Sequence, residues 1–237
     1  MTSNPIKLAW VALLYVCLVA LCSAQDNAKQ VGLRFRTFGW QVAADGLLCE
    51  IGGKEVPLEV LEASRSRFYD YSGPLTIVVY RLVPGPEGKK VRQTVATADI
   101  SAAGRWPLLV FMPDKEKGPE AIRIVPLADD LSAFPAPQFR FVNFTPVMLG
   151  LTLGKERVAL APRALHALDP ALKSGEGTTT RYFVVSIASE EGPKMLYANN
   201  WVVRPTQRTL VFIFATDNAL QVRRIVEDVN QFAPSTP

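Results

Sequence analysis

The sequence contains two copies of a unit of about 100 residues, and this duplication constrains the fold more than any other feature. Short blocks of similar sequence recur in the same order at offsets of 98 to 106 residues. Residues 33–38 match 139–144, 53–55 match 154–156, 109–111 match 210–212, 123–125 match 224–226, and 129–134 match 227–232. Chance similarity would not preserve both the order and the spacing of the blocks.

The duplication predicts two domains of a common size. The first spans about residues 31–134 and the second about residues 138–232. Between them, residues 135–137 form a joint with two prolines, which favours a fixed tandem arrangement. Residues 233–237 are a short polar tail, which we expect to be flexible.

Within each copy, the pattern of side chains is typical of β-strands. Leu33, Phe35 and Thr37 alternate with Arg34 and Arg36, which is the period of two expected of a strand. Further strand-like segments are 76–80, 108–112, 121–127, 181–187, 196–203, 209–215 and 221–226. Segment 161–172 has a slightly helical pattern, but its two prolines limit it to a turn or two of helix. Short strands separated by Gly and Pro predict an all-β protein of two tandem immunoglobulin-like β-sandwich domains, with seven or eight strands each.

The charges are balanced and dispersed. The formal net charge is +4, and the basic residues mostly alternate with apolar ones. Neither half carries the concentrated positive field that nucleic acid requires, and no nucleotide-binding loop is present. We therefore expect no nucleic-acid or nucleotide partner, and we interpret the strand arginines as outward-facing and solvated.

The N-terminus has the features of a secretory signal peptide. Lys7 precedes an apolar run over residues 8–22, and small residues lead to a cleavage point after Ala24. The run is short for a spanning helix, although a retained membrane anchor is the alternative. The sequence predicts a signal peptide at residues 1–24 and a periplasmic or secreted protein that meets the membrane only through this segment if it is not cleaved.

The residues that usually carry catalysis are scarce. Cys49 is the one cysteine after the apolar run, and its apolar neighbours indicate a buried, inert thiol. His166 is the only histidine, and Asp169 follows it within three residues, yet no serine lies in a recognisable nucleophile motif. The sequence predicts no catalytic residue, no metal site and no cofactor.

Each copy ends in a repeated acidic motif. Asp130 and Phe134 in the first copy correspond to Asp228 and Phe232 in the second. Two adjacent carboxylates supply too few oxygens for calcium. We therefore predict a structural motif in which each phenylalanine closes the open end of its own sandwich.

Aromatic residues of the first copy are the candidates for ligand binding. Trp40, Tyr69 and Tyr71 could form a stacking surface for sugar rings, and residues 68–71 are not repeated in the second copy. The alternative is that the tyrosines are half-buried with their hydroxyl groups at the rim.

The start of the second copy resembles a family of uncharacterised exported β-sandwich proteins of Gram-negative bacteria. The resemblance lies in Arg140, Asn143 and Thr145, which open a strand, and in the strand from Gly154 to Leu160 that follows. It implies an exported sandwich fold and no assigned activity.

Together these features predict a non-catalytic exported protein that serves as an envelope adaptor or structural interaction module. Its partner would be an envelope protein or a glycan. The alternatives are a carbohydrate-binding module that uses the first-copy aromatics, and a hydrolase on a β-sandwich scaffold.

Overall fold

The computed structural model describes residues 30–173, 175–216 and 219–232. The predicted signal peptide, residues 1–24, and the predicted tail, residues 233–237, lie outside the described residues. Within the described ranges, no helix has the length and apolar character needed to cross a membrane.

The first unit consists of eight strands in two four-stranded sheets. The strands are β1 (Gln30–Gly39), β2 (Leu48–Ile51), β3 (Lys54–Pro57), β4 (Tyr69–Pro74), β5 (Thr76–Pro84), β6 (Lys90–Asp99), β7 (Pro107–Pro113) and β8 (Ile122–Ala128). One sheet has the order β4-β1-β7-β8 and the other has the order β3-β2-β5-β6. All pairings are antiparallel except that of β1 with β7.

The second unit repeats this arrangement strand for strand. Its strands are β9 (Phe139–Asn143), β10 (Leu149–Leu153), β11 (Glu156–Leu160), β12 (Leu165–Leu168), β13 (Thr179–Ile187), β14 (Lys194–Val203), β15 (Gln207–Ala215) and β16 (Leu220–Asp228). The sheets are β12-β9-β15-β16 and β11-β10-β13-β14, and β9 with β15 is again the parallel pair. The predicted fold class, two tandem β-sandwich units from an internal duplication, is confirmed.

Side-chain alternation determines the faces of the strands. Tyr69 and Tyr71 of β4 are buried whereas Asp70 between them is exposed, because successive residues of a strand point to opposite sides. Within residues 161–172 the sequence allowed at most a turn or two of helix, and the structure forms a strand there instead. The prolines end the helical pattern, and residues 165–168 form β12 by pairing with β9.

Strand pairing fixes which residues of the two units are equivalent. Arg36 lies opposite Leu108, and Arg140 lies opposite Leu210 in the corresponding parallel pair. Leu108 and Leu210 both face the other unit, whereas Leu109 lies in the first unit's core. The sequence match of Leu109 with Leu210 is therefore wrong by one residue, and a shift of one residue exchanges the two faces of a strand.

Each unit has a hydrophobic core of its own between its two sheets. A third cluster of buried apolar residues draws on both units. It lies between the sheet that contains β1 and β7 and the sheet that contains β9 and β15.

Candidate functional site

Aromatic stacking joins the two units. Phe38 stacks on Phe212 with ring centroids 4.8 Å apart, and Trp40 stacks on Phe214 at 4.2 Å. The remaining buried members of this unit interface are Leu108, Val110, Met112, Phe134, Val142, Leu210 and Ile225. Because close packing of this kind resists sliding and rotation, we expect the two sandwiches to move as one body.

A buried ionic cluster lies within the same interface. Arg36 donates hydrogen bonds to Asp129 at 2.6 Å and to Glu227, and Arg65 donates two to Asp129 at 2.8 Å each. Arg208 donates from its Nε to Glu227 at 2.8 Å. All five residues are at most 8% exposed. Since Arg36 belongs to the first unit and Glu227 to the second, the cluster crosses the interface.

Two arginines of the second unit also bind the backbone of the first. Arg140 donates to the carbonyl oxygens of Ala128 and Ala133, and Arg208 donates to that of Phe134 at 2.9 Å. The Phe134 ring lies between them, 4.4 Å from the Arg140 guanidinium carbon and 5.0 Å from that of Arg208. The cluster has fewer carboxylates than arginines. The Phe134 ring and the backbone carbonyl groups therefore stabilise the remaining positive charge.

The arginines of the cluster lower the pKa of Glu227. Burial alone raises the pKa of the Glu227 carboxyl, but the hydrogen bond from Arg36 and the positive charges of Arg65, Arg36 and Arg208 outweigh burial and lower that pKa to about 2. The carboxylate therefore stays ionised in the folded protein far below the pH at which an unfolded glutamate is protonated.

We expect this shift to make the protein acid-sensitive. The ordinary pKa of 4.5 is lowered by folding, so Glu227 contributes stability above about pH 4.5, and this contribution disappears as the pH falls toward 2. The loss amounts to about 3 kcal/mol. Urea midpoints of the wild type and Glu227→Gln should differ most near neutral pH and converge in acid. A difference that persists unchanged at low pH would contradict this linkage, and exposed Glu62→Gln is the control that should show no such difference.

The repeated acidic motif forms part of the interface, so the prediction that each phenylalanine closes its own sandwich is wrong. Asp130 and Asp228 cap local turns by accepting the backbone N–H groups of Ala133 and Asn230 at 3.0 Å. Phe134 is fully buried between the units. Phe232 is half-buried and packs on first-unit rings, with Phe68 at 6.1 Å and Trp106 at 5.5 Å.

The aromatic residues predicted as a ligand surface are covered by protein. Trp40 lies between Phe214 and the guanidinium of Arg223, which is 5.0 Å from its ring. Tyr69 stacks on Phe35 at 5.1 Å, and Tyr71 meets the same ring edge-on at 5.9 Å. These rings therefore offer no open face on which a sugar could stack.

The surroundings of Cys49 and His166 do not form a catalytic arrangement within the described residues. Cys49 is fully buried in the first core, and burial raises the pKa of its thiol to about 12, so it stays protonated and inert as predicted. Asp169 accepts the backbone N–H of Ala171 at 2.8 Å. His166 lies on β12 opposite Phe141, and within the described ranges it makes no hydrogen bond to an acid or a serine.

The outer faces of the two equivalent sheets differ in chemistry. On β13 and β14 of the second unit, the outward side chains are Thr180, Tyr182, Val184, Ser186, Met195, Ala198, Asn200 and Val202, here called the β13–β14 surface. Its largest members are well exposed, with Met195 at 59%, Tyr182 at 50% and Val202 at 45%. No residue from 195 to 203 is charged.

The same face of the first unit is charged and hydroxylated. Arg92 of β6 forms ion pairs with Glu50 at 2.7 Å and Glu55 at 2.9 Å, and its guanidinium lies 4.7 Å from the Tyr80 ring. Matching register shifts in the β5–β6 and β13–β14 pairs align Thr97 with Ala198 and Asp99 with Asn200. The β13–β14 surface is thus uncharged, although Arg157 of β11 lies on the same outer face, whereas the equivalent strand β6 of the first unit carries charged side chains.

Sequence reasoning missed the residues that join the two units. Arg36, Arg140 and Arg208 were interpreted as solvated strand arginines, but they are at most 6% exposed. One signal in the sequence could have identified them. Arg36 is equivalent to Arg140, and Asp129 is equivalent to Glu227, so both copies keep an arginine and an acid at matching positions.

No protein-family model and no curated protein matches the chain. Among solved structures, a similar chain is the crystal structure of a "putative cell adhesion protein" from Bacteroides uniformis, with 10% sequence identity and a TM-score of 0.20. The similarity covers 86% of this chain and 99% of that chain. At this TM-score the likeness carries no information about function.

Proposed function

We propose that the protein is an exported, non-catalytic interaction protein that binds an extended segment of an envelope protein along β14. The observation that carries the proposal is the unprotected edge of the second unit. β14 is the last strand of its sheet, and residues 195–203 carry no charge. Edge strands present unpaired N–H and C=O groups, to which an added strand can bind.

The first unit provides an internal comparison. Its equivalent edge strand, β6, carries Lys90, Arg92 and Asp99. Both edge strands also contact the last strand of their own unit, β6 with β8 and β14 with β16, so the charged side chains are the difference between them. Charged side chains are a usual protection of an edge against pairing with another chain. Because β14 lacks this protection and exposes Met195 and Val202, it is suited to an uncharged partner strand with apolar side chains on one face.

The rigid interface gives the first unit its role in this proposal. Two sandwiches held by a shared apolar core and buried ion pairs keep β14 in a fixed orientation relative to the rest of the chain. A pre-organised binding edge loses less conformational entropy when the partner binds. The first unit is thus a support for the binding edge of the second.

Site-specific photocrosslinking in cells tests the proposal. A benzophenone side chain at Ala198 should give an adduct whose attachment site maps to an extended segment of one envelope protein, and Val202→Lys should abolish that adduct. The matched control is the same probe at Thr97, the equivalent position on β6, which should give no adduct. Equal labelling from both positions, no adduct at all, or adducts only between two copies of this chain would contradict the proposed function.

A further inference from the structure

A cleft opens between the two units at the end of the interface that contains Trp40. Its volume is about 450 Å³, within the range of small-molecule sites. Apolar rings line one part of it, contributed by Trp40 of the first unit and by Phe144 and Phe214 of the second. The first unit adds residues 112–116 and Arg123, and the second adds Pro146, Arg163 and Thr216.

The acidic groups at the rim of the cleft are already paired. Glu116 of the first unit faces Arg163 of the second at 3.6 Å, and Asp114 faces Lys117 at 3.4 Å. The Glu116–Arg163 pair bridges the two units and is well exposed on both sides. These pairs leave the rim close to neutral, so that an anion is not excluded from the cleft.

Arg123 is the exception among the charged groups of the cleft. It lies on β8 opposite Met112 and is half-buried, and it forms no hydrogen bond or ion pair within the described part of the chain. Its Nε atom is buried without a partner. Because Nε has no accessible surface, a ligand in the cleft would contact the two terminal nitrogens, and a guanidinium presents a planar fork of donors that matches a carboxylate.

We propose that this cleft binds a small ligand with one carboxylate on an apolar body. The carboxylate would accept hydrogen bonds from Arg123, and the apolar body would lie against the partly exposed Phe144 and the ring edges of Trp40 and Phe214. Inorganic phosphate fits less well, because it has no apolar body to lie against the rings of the cleft. This site is separate from the β13–β14 surface and does not depend on the function proposed for it.

Titration with matched probes tests the proposal. The probes are N-acetylphenylalanine, N-acetylleucine and phenylacetate, with N-acetylphenylalaninamide and inorganic phosphate as comparisons. Binding is followed by calorimetry and by the NMR signal of the Trp40 indole N–H. We expect the acid N-acetylphenylalanine to bind at least tenfold more tightly than its amide and than phosphate.

Variants separate binding from folding. Arg123→Gln should weaken binding of N-acetylphenylalanine at least tenfold, to the level of the amide, whereas Arg157→Gln on the distant outer sheet should leave it unchanged. Arg123→Gln should also melt no lower than the wild type, because Arg123 makes no hydrogen bond in the described chain. The proposal is overturned if none of the acids binds, if acid and amide bind equally, if phosphate competes as well as the acid, or if Arg123→Gln unfolds the protein.

Discussion

Asp129→Asn should lower the free energy of unfolding by about 3–5 kcal/mol, the usual loss when one partner of a buried ion pair is removed. Asp129 is 2% exposed and accepts hydrogen bonds from Arg36 and Arg65. Its removal leaves these two arginines and Arg208 buried with Glu227 as their one remaining carboxylate in the cluster. Urea denaturation followed by circular dichroism measures the loss.

Asp70→Asn is the matched control for this measurement. Asp70 also pairs with a strand arginine, Arg34 at 3.3 Å, but its side chain is 90% exposed. Surface pairs of this kind contribute about 0–1 kcal/mol. If Asp129→Asn lost no more stability than Asp70→Asn, the buried cluster would not hold the units together.

Phe134→Ala should lower the free energy of unfolding by about 3–5 kcal/mol, as for other fully buried phenylalanines. The side chain is 0% exposed within the unit interface, so truncation leaves a cavity next to two arginines. Phe232→Ala should cost clearly less, because Phe232 is half-buried at the edge of the same interface. Urea midpoints of the two variants give the comparison.

A double-mutant cycle locates Phe134 in the interface. Phe134 belongs to the first unit's end and Arg140 to the second unit's first strand, with the ring 4.4 Å from the guanidinium. Contacting residues show coupling free energies of about 0.5–3 kcal/mol. Coupling between Phe134→Ala and Arg140→Met should fall in this range. If the losses of stability from the two substitutions were simply additive, Phe134 would not interact with Arg140 across the interface.

The sequence was sufficient to predict the fold because its strand signals are local. The apolar run of residues 108–112 is bounded by two prolines, and it forms β7 as predicted. Other strands were predicted from the same kind of local pattern. Repetition then predicted a second unit of the same kind. Equivalent positions were off by one in β7 and β15, because similar letters can be matched in either register and only strand pairing decides between them.

The interface was not predictable because it depends on long-range contacts. Arg36 follows the alternation of a solvated strand, and nothing in its neighbourhood shows that Glu227, 191 residues away, supplies its counter-charge. Trp40 was interpreted as a candidate for ligand binding, because its stacking partner Phe214 lies in the other copy and is not evident from the sequence around Trp40. The edge position of β14 depends on strand order, which long-range pairing decides.

The unit interface should make the two sandwiches one cooperative unit of unfolding. Native-state hydrogen exchange of the full chain tests it through Leu109→Ala, a truncation in the first unit's core that should cost about 2–5 kcal/mol. We predict that the most protected amides of β10 and β13, in the sheet of the second unit that lies away from the interface, lose the same free energy of opening as those of β1 and β7. Loss of protection confined to β1–β8, with β10 and β13 unchanged, would show that the units unfold independently and would contradict the account.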